Sequence, residues 1–162
     1  SWTQWLRAAP VKNKGLDGPE IYKEAQAVDE WAPAPHDGSS VRAGAKALTT
    51  DGYISAYHWA SNIDEMSNWV LTQGPMVIGI NWYEGMFTPD AAGLVTVSGN
   101  LAGGHAICVS GYSSRSNLFT LTNSWGIDWG KKGRLYLSRE DMDRLVFSEE
   151  GESCTAVEIK VL

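Results

Sequence analysis

Apolar residues recur along this chain with two different periods, and the change between them falls near Gly74. From Ser1 to Ala9, the residues Trp2, Trp5, Leu6 and Ala9 fall on one face of an amphipathic helix, which Pro10 ends. Asp17-Gly-Pro-Glu reads as a second helix start. Asp17 is the expected N-cap, Pro19 sits in the first turn, and Glu20 suits the positive end of the helix dipole. The helical spacing runs on from Glu20 to Glu30, and the stretch from Trp31 to Ser40, with its prolines and glycine, reads as a loop. A third helix is predicted from Ser40 to Thr50, with Val41, Ala45 and Leu48 on one face. Asp51-Gly52 is a turn, and Tyr53 to Trp59 alternates as a short strand. A helix from Ile63 to Thr72 follows, capped by Asn62 or Ser61, with Met66, Trp69 and Val70 facing in.

After Gln73-Gly74-Pro75 the period changes. Met76 to Trp82 is an apolar, β-branched run. Leu94 to Val97, His105 to Tyr112, Leu118 to Thr122, Gly133 to Leu137 and Thr155 to Val161 also read as strands. A helical half followed by a β half predicts an α+β fold: a helical lobe over residues 1–73 and a β lobe over 74–162 that is an antiparallel sheet or barrel.

Composition narrows the function classes. The chain has 162 residues, 43% of them hydrophobic and 20% charged, which is ordinary for a globular chain and argues against disorder. Its net charge of −6 argues against nucleic acid and against an anionic membrane surface as partners. No apolar run is long enough to span a bilayer. Two cysteines make neither a disulfide framework nor a four-cysteine zinc site, and the three histidines are too scattered for a metal; no cofactor is expected.

The chemistry is concentrated in two segments. Gly103-Gly104-His105 leads into an apolar strand, and Thr122-Asn123-Ser124-Trp125-Gly126 follows the next one. Two facing strands joined by a hairpin around Ser113 to Asn117 would bring His105 and Asn123 together. An imidazole beside an amide oxygen is the base-and-orienter pair of nucleophilic catalysis, because the amide fixes both tautomer and ring orientation. Trp125 would cover that bond, and Gly103 and Gly104 would let the backbone approach a substrate.

On these residues the chain resembles the papain-like cysteine peptidases. "GGHA…GY" is similar to the family's histidine strand, and "TNSWGIDWGKKGRLYL" to its asparagine motif. "LTQGPMVIGINWYEGMF" resembles the first strand of the family's β domain. "GLDGPEIYKEAQAVDEW" and "GSSVRAGAKALTTDGY" resemble the helical domain of bacterial and viral members. The resemblance implies a two-lobed fold with a cleft, peptide-bond hydrolysis by Cys-His-Asn acyl transfer, and a peptide or protein substrate. It implies His105 as base, Asn123 as orienter, and Gly103, Gly104 and Trp125 beside the substrate.

The departure is in the nucleophile. The family carries it on a Cys at the start of its first long helix, with an oxyanion Gln a little earlier, but no cysteine precedes His105 here. Either Ser1 stands at the nucleophile's position, or the Cys lies a few residues ahead of Ser1; the second partly restores the length of the helix and is preferred. Gln4, inside the helix, cannot serve as the oxyanion Gln. The chain as it stands is therefore expected to be inactive, and the alternative is a pseudo-peptidase acting as a structural or peptide-binding module. The remaining candidates have bland readings. His36 and His58 are structural or solvated, Cys108 is a small buried hydrophobe, and Cys154 is surface or semi-buried. Asp64-Glu65, Glu140-Asp141 and Glu149-Glu150 are solvated helix ends, while Glu84 and Asp90 are rim charges.

Overall fold

The computed structural model describes residues 2–8, 17–33 and 36–159. Among the described residues five α-helices and six strands follow one another as α1 (Trp2–Ala8), α2 (Gly18–Val28), α3 (Val41–Thr50), β1 (Ile54–Trp59), α4 (Ile63–Thr72), β2 (Met76–Tyr83), β3 (Leu101–Ser113), β4 (Leu118–Thr122), β5 (Arg134–Ser138), α5 (Arg139–Asp143) and β6 (Glu152–Ile159). A 3₁₀ turn, Glu84–Phe87, follows β2, and a π turn, Arg144–Ser148, follows α5. All the strands pair antiparallel in one sheet of order β1-β6-β2-β3-β4-β5. The expected positions of Ser1, Ala9 and Pro10, and the end of the last strand at Val161, lie outside the described residues.

At β2 the sheet is covered on both faces, which explains why Met76 to Trp82 is an almost unbroken apolar run. Met76, Ile78, Ile80 and Trp82 of β2 join Ile107 and Val109 of β3 in one core, covered by Ile63 and Met66 of α4 and by Met142, Leu145 and Val146. Val77 and Cys108 point the other way, into a second core with Trp2, Trp5, Ile21, Val41, Ala45 and Leu48 from α1, α2 and α3. Trp2 lies so close to α3 that a Cβ on Gly44 would meet its indole at 2.5 Å.

Local signals place the helix starts. Ser40 caps α3 by accepting the Ala43 N–H, and Asn62 caps α4 by accepting the Glu65 N–H. Asp17 stands at the N-cap of α2, but its side chain makes no capping bond. The strand expected over Leu94 to Val97 is a single bridge from Leu94 to Tyr136. Asp90 bends the chain there by accepting the N–H groups of Ala92 and Leu94, and a turn held this way cannot run on as a ladder. Apart from the helix ends read at Glu140-Asp141 and Glu149-Glu150, the segment 139–148 carried too little periodicity for its helix and π turn to be expected; Ser138 and Asp141 start them with reciprocal bonds at 3.0 and 2.7 Å.

Candidate active site

His105 and Asn123 come from adjacent strands of the sheet. The register of β3 and β4 pairs Cys108 with Thr122 and Val109 with Leu121. Side chains alternate along a strand, so His105 lies on the face of Ile107 and Val109, and Asn123, just past β4, continues the face of Phe119 and Leu121. The two side chains meet with His105 Nε2 at 3.0 Å from Asn123 Oδ1.

The amide has one orientation. Ser124 donates its backbone N–H to Asn123 Oδ1 at 2.8 Å, so that atom must be the oxygen. An oxygen facing Nε2 requires the proton on Nε2, which leaves Nδ1 as the ring nitrogen able to take another. The chain is anchored here by the Asn123 N–H, which donates to the Gly133 carbonyl at 2.9 Å. Asn123 is only 6% exposed, and its Nδ2 is enclosed with no hydrogen-bond partner among the described residues. Burial pushes the His105 imidazole below its usual 6.5, and the bond to Asn123 partly opposes that shift by supporting the charged ring.

An aromatic cluster covers the pair. Trp125 lies 5.0 Å from the His105 ring, Phe87 stacks on Trp125 at 5.5 Å, and Trp129 meets Trp125 edge-on at 4.9 Å. Trp129 Nε1 donates to the Phe87 carbonyl at 2.9 Å, tying the loop after β4 to the turn after β2. Gly104 and His105 line a cleft of about 1010 Å³, whose opposite wall comes from α2, α3 and the loop between them, including Tyr22, Trp31, Gly38 and Ser39. That volume is at the upper edge of small-ligand sites and suits an extended chain. A Cβ on Gly103 or Gly104 would meet nothing within 4 Å, so glycine at neither position relieves internal crowding, and of the two Gly104 lines the cleft. The φ of 150° at Gly103 also disfavours any side chain.

Three parts of the surroundings had no sequence signal. Trp82 of β2, which reads as core in a strand pattern, touches the His105 ring at 4.7 Å. Glu149 is not a solvated helix end: its carboxylate accepts Tyr83 Oη–H at 2.8 Å, Asn81 Nδ2–H at 3.2 Å and Arg144 Nε–H at 2.7 Å. Burial alone would raise its pKa, but these donors hold it below the usual carboxylate range. Asp29 behaves alike. Burial opposes its charge, yet the Ser40 N–H, the Ser39 hydroxyl and the Glu30 N–H keep its carboxyl low, and they fix the loop that forms the far wall.

The other candidates lie apart from the pair. Cys108 and Cys154 are both free and fully buried, so Cys154 is not at the surface, and burial pushes each thiol up to about 12. Glu84 closes a turn by accepting the Asn100 N–H, and Asp64 pairs with Arg139. Ser1 lies outside the described residues. Among the described residues no three metal-ligating side chains gather, and no helix is long and apolar enough to cross a membrane.

The family model described as papain family cysteine protease matches residues 11–155. Cathepsin B-like cysteine proteinase 6 of Caenorhabditis elegans is 32% identical over 81 residues, 49% of this chain and 21% of that protein. Cathepsin F of Mus musculus is 32% identical over 84 residues, 48% of this chain and 18% of that protein. The chain thus spans about a fifth of the length of these curated relatives. Xylellain, a cysteine protease from Xylella fastidiosa, superposes with a TM-score of 0.56 at 22% identity, over 66% of this chain and 41% of xylellain, a likeness of fold.

Proposed function

The chain belongs to the papain family of cysteine proteases, and on that premise we propose that His105 and Asn123 are the base and orienter of a peptide-hydrolysing site. The observation that carries this is the 3.0 Å approach of His105 Nε2 to an amide oxygen held in place by the Ser124 N–H. With Nε2–H committed to Asn123, His105 Nδ1 takes the proton of a thiol as its sulfur attacks the peptide carbonyl carbon. The same nitrogen returns that proton to the departing amine as the C–N bond breaks, and water then releases the acyl group by the reverse use of the base. In this reading residues 74–162 carry the pair, residues 1–73 supply the facing wall, and Gly103, Gly104 and Trp125 border the peptide.

The thiol is the part this chain does not supply. Cys108 and Cys154 both follow His105, both are buried, and thiols held near 12 are almost wholly un-ionised at neutral pH. We therefore infer that the 162-residue chain alone does not turn over peptides and that the nucleophile belongs to sequence ahead of Ser1. The same observation favours a second reading, a peptide-binding module that keeps the cleft without the chemistry.

A fluorogenic peptide assay separates the readings. It is run on the 162-residue chain and on the gene product extended ahead of Ser1, each with and without a thiol-alkylating inhibitor. The peptidase reading expects no turnover from the chain alone, and turnover from the extended protein that is lost on alkylation and in His105→Ala. A folded, extended protein that binds peptide without cleaving it would establish the binding module instead. Alkylation-insensitive turnover by the chain alone, abolished in His105→Ala, would transfer the nucleophile's role to Ser1.

A further inference from the structure

Trp82 belongs to none of the motifs that point to the site, yet its indole is closer to the His105 imidazole than that of Trp125. The Trp82 and His105 ring centroids are 4.7 Å apart at an interplanar angle of 68°. Trp125 lies 5.0 Å from His105 and 5.3 Å from Trp82, so the three rings close a triangle. The two indoles differ in exposure: Trp125 is 38% exposed and Trp82 only 2%. In the register of β2 and β3, Ile80 faces His105 and Trp82 faces Gly103. Trp82 is therefore the diagonal neighbour of His105 on the same face of the sheet, within reach of a long aromatic side chain.

A second observation sets Trp82 apart from filler. Its Nε1 is enclosed and has no hydrogen-bond partner among the described residues. Burying an unpaired N–H is unfavourable, so packing alone would favour Phe or Leu at this position. An indole there offers a large flat surface against the imidazole. The bond to Asn123 fixes one ring nitrogen but leaves the ring able to rock about that bond, and rigid neighbours remove the rocking.

We propose that Trp82 is a positioning residue for His105: its indole closes the buried side of the imidazole, with the more exposed Trp125 on the outer side, and so keeps Nε2–H aligned on Asn123 and dry. This rests on the reading of His105 as the base. Burial depresses the imidazole pKa, and the Trp82 indole, itself 2% exposed and 4.7 Å away, is one of the rings that keep water from it.

The test reads the ring itself. Nitrogen NMR of the histidine side chains is recorded across pH on the 162-residue chain and on Trp82→Phe and Trp82→Ala, with His36 and His58 as internal controls. The expectation for Trp82→Ala is a His105 pKa raised by about half a unit or more towards its ordinary value, with the Nε2–H signal broadened by exchange with water. Trp82→Phe, which keeps a ring but a smaller one, should move both in the same direction by less, and the control histidines should not move. A folded Trp82→Ala whose His105 pKa and tautomer match the parent chain would overturn the proposal, as would a fall in that pKa. Should Trp82→Ala not fold, Trp82→Phe decides alone, and an unmoved His105 in that variant is equally fatal. The measurement needs no turnover, so a failure of peptide hydrolysis would count against the peptidase reading and leave this result standing.

Discussion

The carboxylate of Glu152 accepts the backbone N–H of Val41 at 2.8 Å, across 111 residues of sequence. Its second oxygen lies 3.4 Å from the Arg42 N–H, and Ser40 Oγ takes the Ala43 N–H at 3.1 Å. The first turn of α3 is thus capped by two side chains, one local and one from β6 on the other side of the cleft. Negative charge there also suits the helix dipole. Glu152→Ala should cost about 1–2 kcal/mol of stability, read as a lower urea midpoint, and Glu152→Gln should cost less because an amide oxygen still accepts one bond. An unchanged midpoint in Glu152→Ala would show that the contact holds nothing.

His105 carries two opposed influences, burial and the Asn123 bond, and they can be separated. Asn123→Ala removes the acceptor that supports the charged ring, so the imidazole pKa should fall further below 6.5. That is opposite in sign to the shift expected for Trp82→Ala, and a rise in Asn123→Ala would show that burial there depends on the amide. The sign carries through to stability. With its folded pKa depressed, His105 takes up a proton first in the unfolded chain as pH falls below about 6.5, so it lowers stability on the acid side and is neutral above. Stability curves of the parent chain and His105→Gln should therefore diverge as pH drops below that value, with the variant falling less.

Asp29 should be among the most sensitive polar positions. Its carboxylate is buried and accepts from the Glu30 N–H, the Ser39 hydroxyl and the Ser40 N–H, each at 2.8 Å. Asp29→Ala leaves those donors unpaired and should cost about 2–3 kcal/mol. Its carboxyl is held below 3.8, so it contributes stability above that pH and loses it on acidification through the folded pKa. Denaturant midpoints of parent and variant should converge in strong acid, and a gap that persists unchanged there would remove charge from the explanation.

The two cysteines should neither pair nor react. Cys108 and Cys154 both lie opposite Val77, one on each side of β2. Two strand spacings put them about 10 Å apart, beyond the roughly 7 Å limit for Cα atoms joined by a disulfide. Iodoacetamide should label neither thiol in the native chain and both in denaturant, as counted by intact mass. Native labelling of Cys154 would place it at a surface the fold does not give it.

The helices and most strands were legible in the sequence, because period and capping are local properties. Asn62 starts α4 where its side chain can reach the Glu65 N–H, and Val41, Ala45 and Leu48 share a face at any tertiary arrangement. The approach of His105 to Asn123 was legible for a similar reason, since one lies within β3 and the other just past β4, and the alternation of each strand sets the face. Partners distant in sequence were not legible. Glu149 reads as a solvated charge until β2 brings Asn81 and Tyr83, 68 and 66 residues away, against it. Trp82 reads as core until the register sets it diagonally beside His105. Leu94 to Val97 has strand composition, but the Asp90 turn leaves it a single bridge to Tyr136. The sequence by itself determined most of the helices and strands and which two residues form the candidate pair. The pairing of strands alone decided what surrounds that pair, because burial and hydrogen-bond partnership depend on what the fold brings close and are written in no single segment.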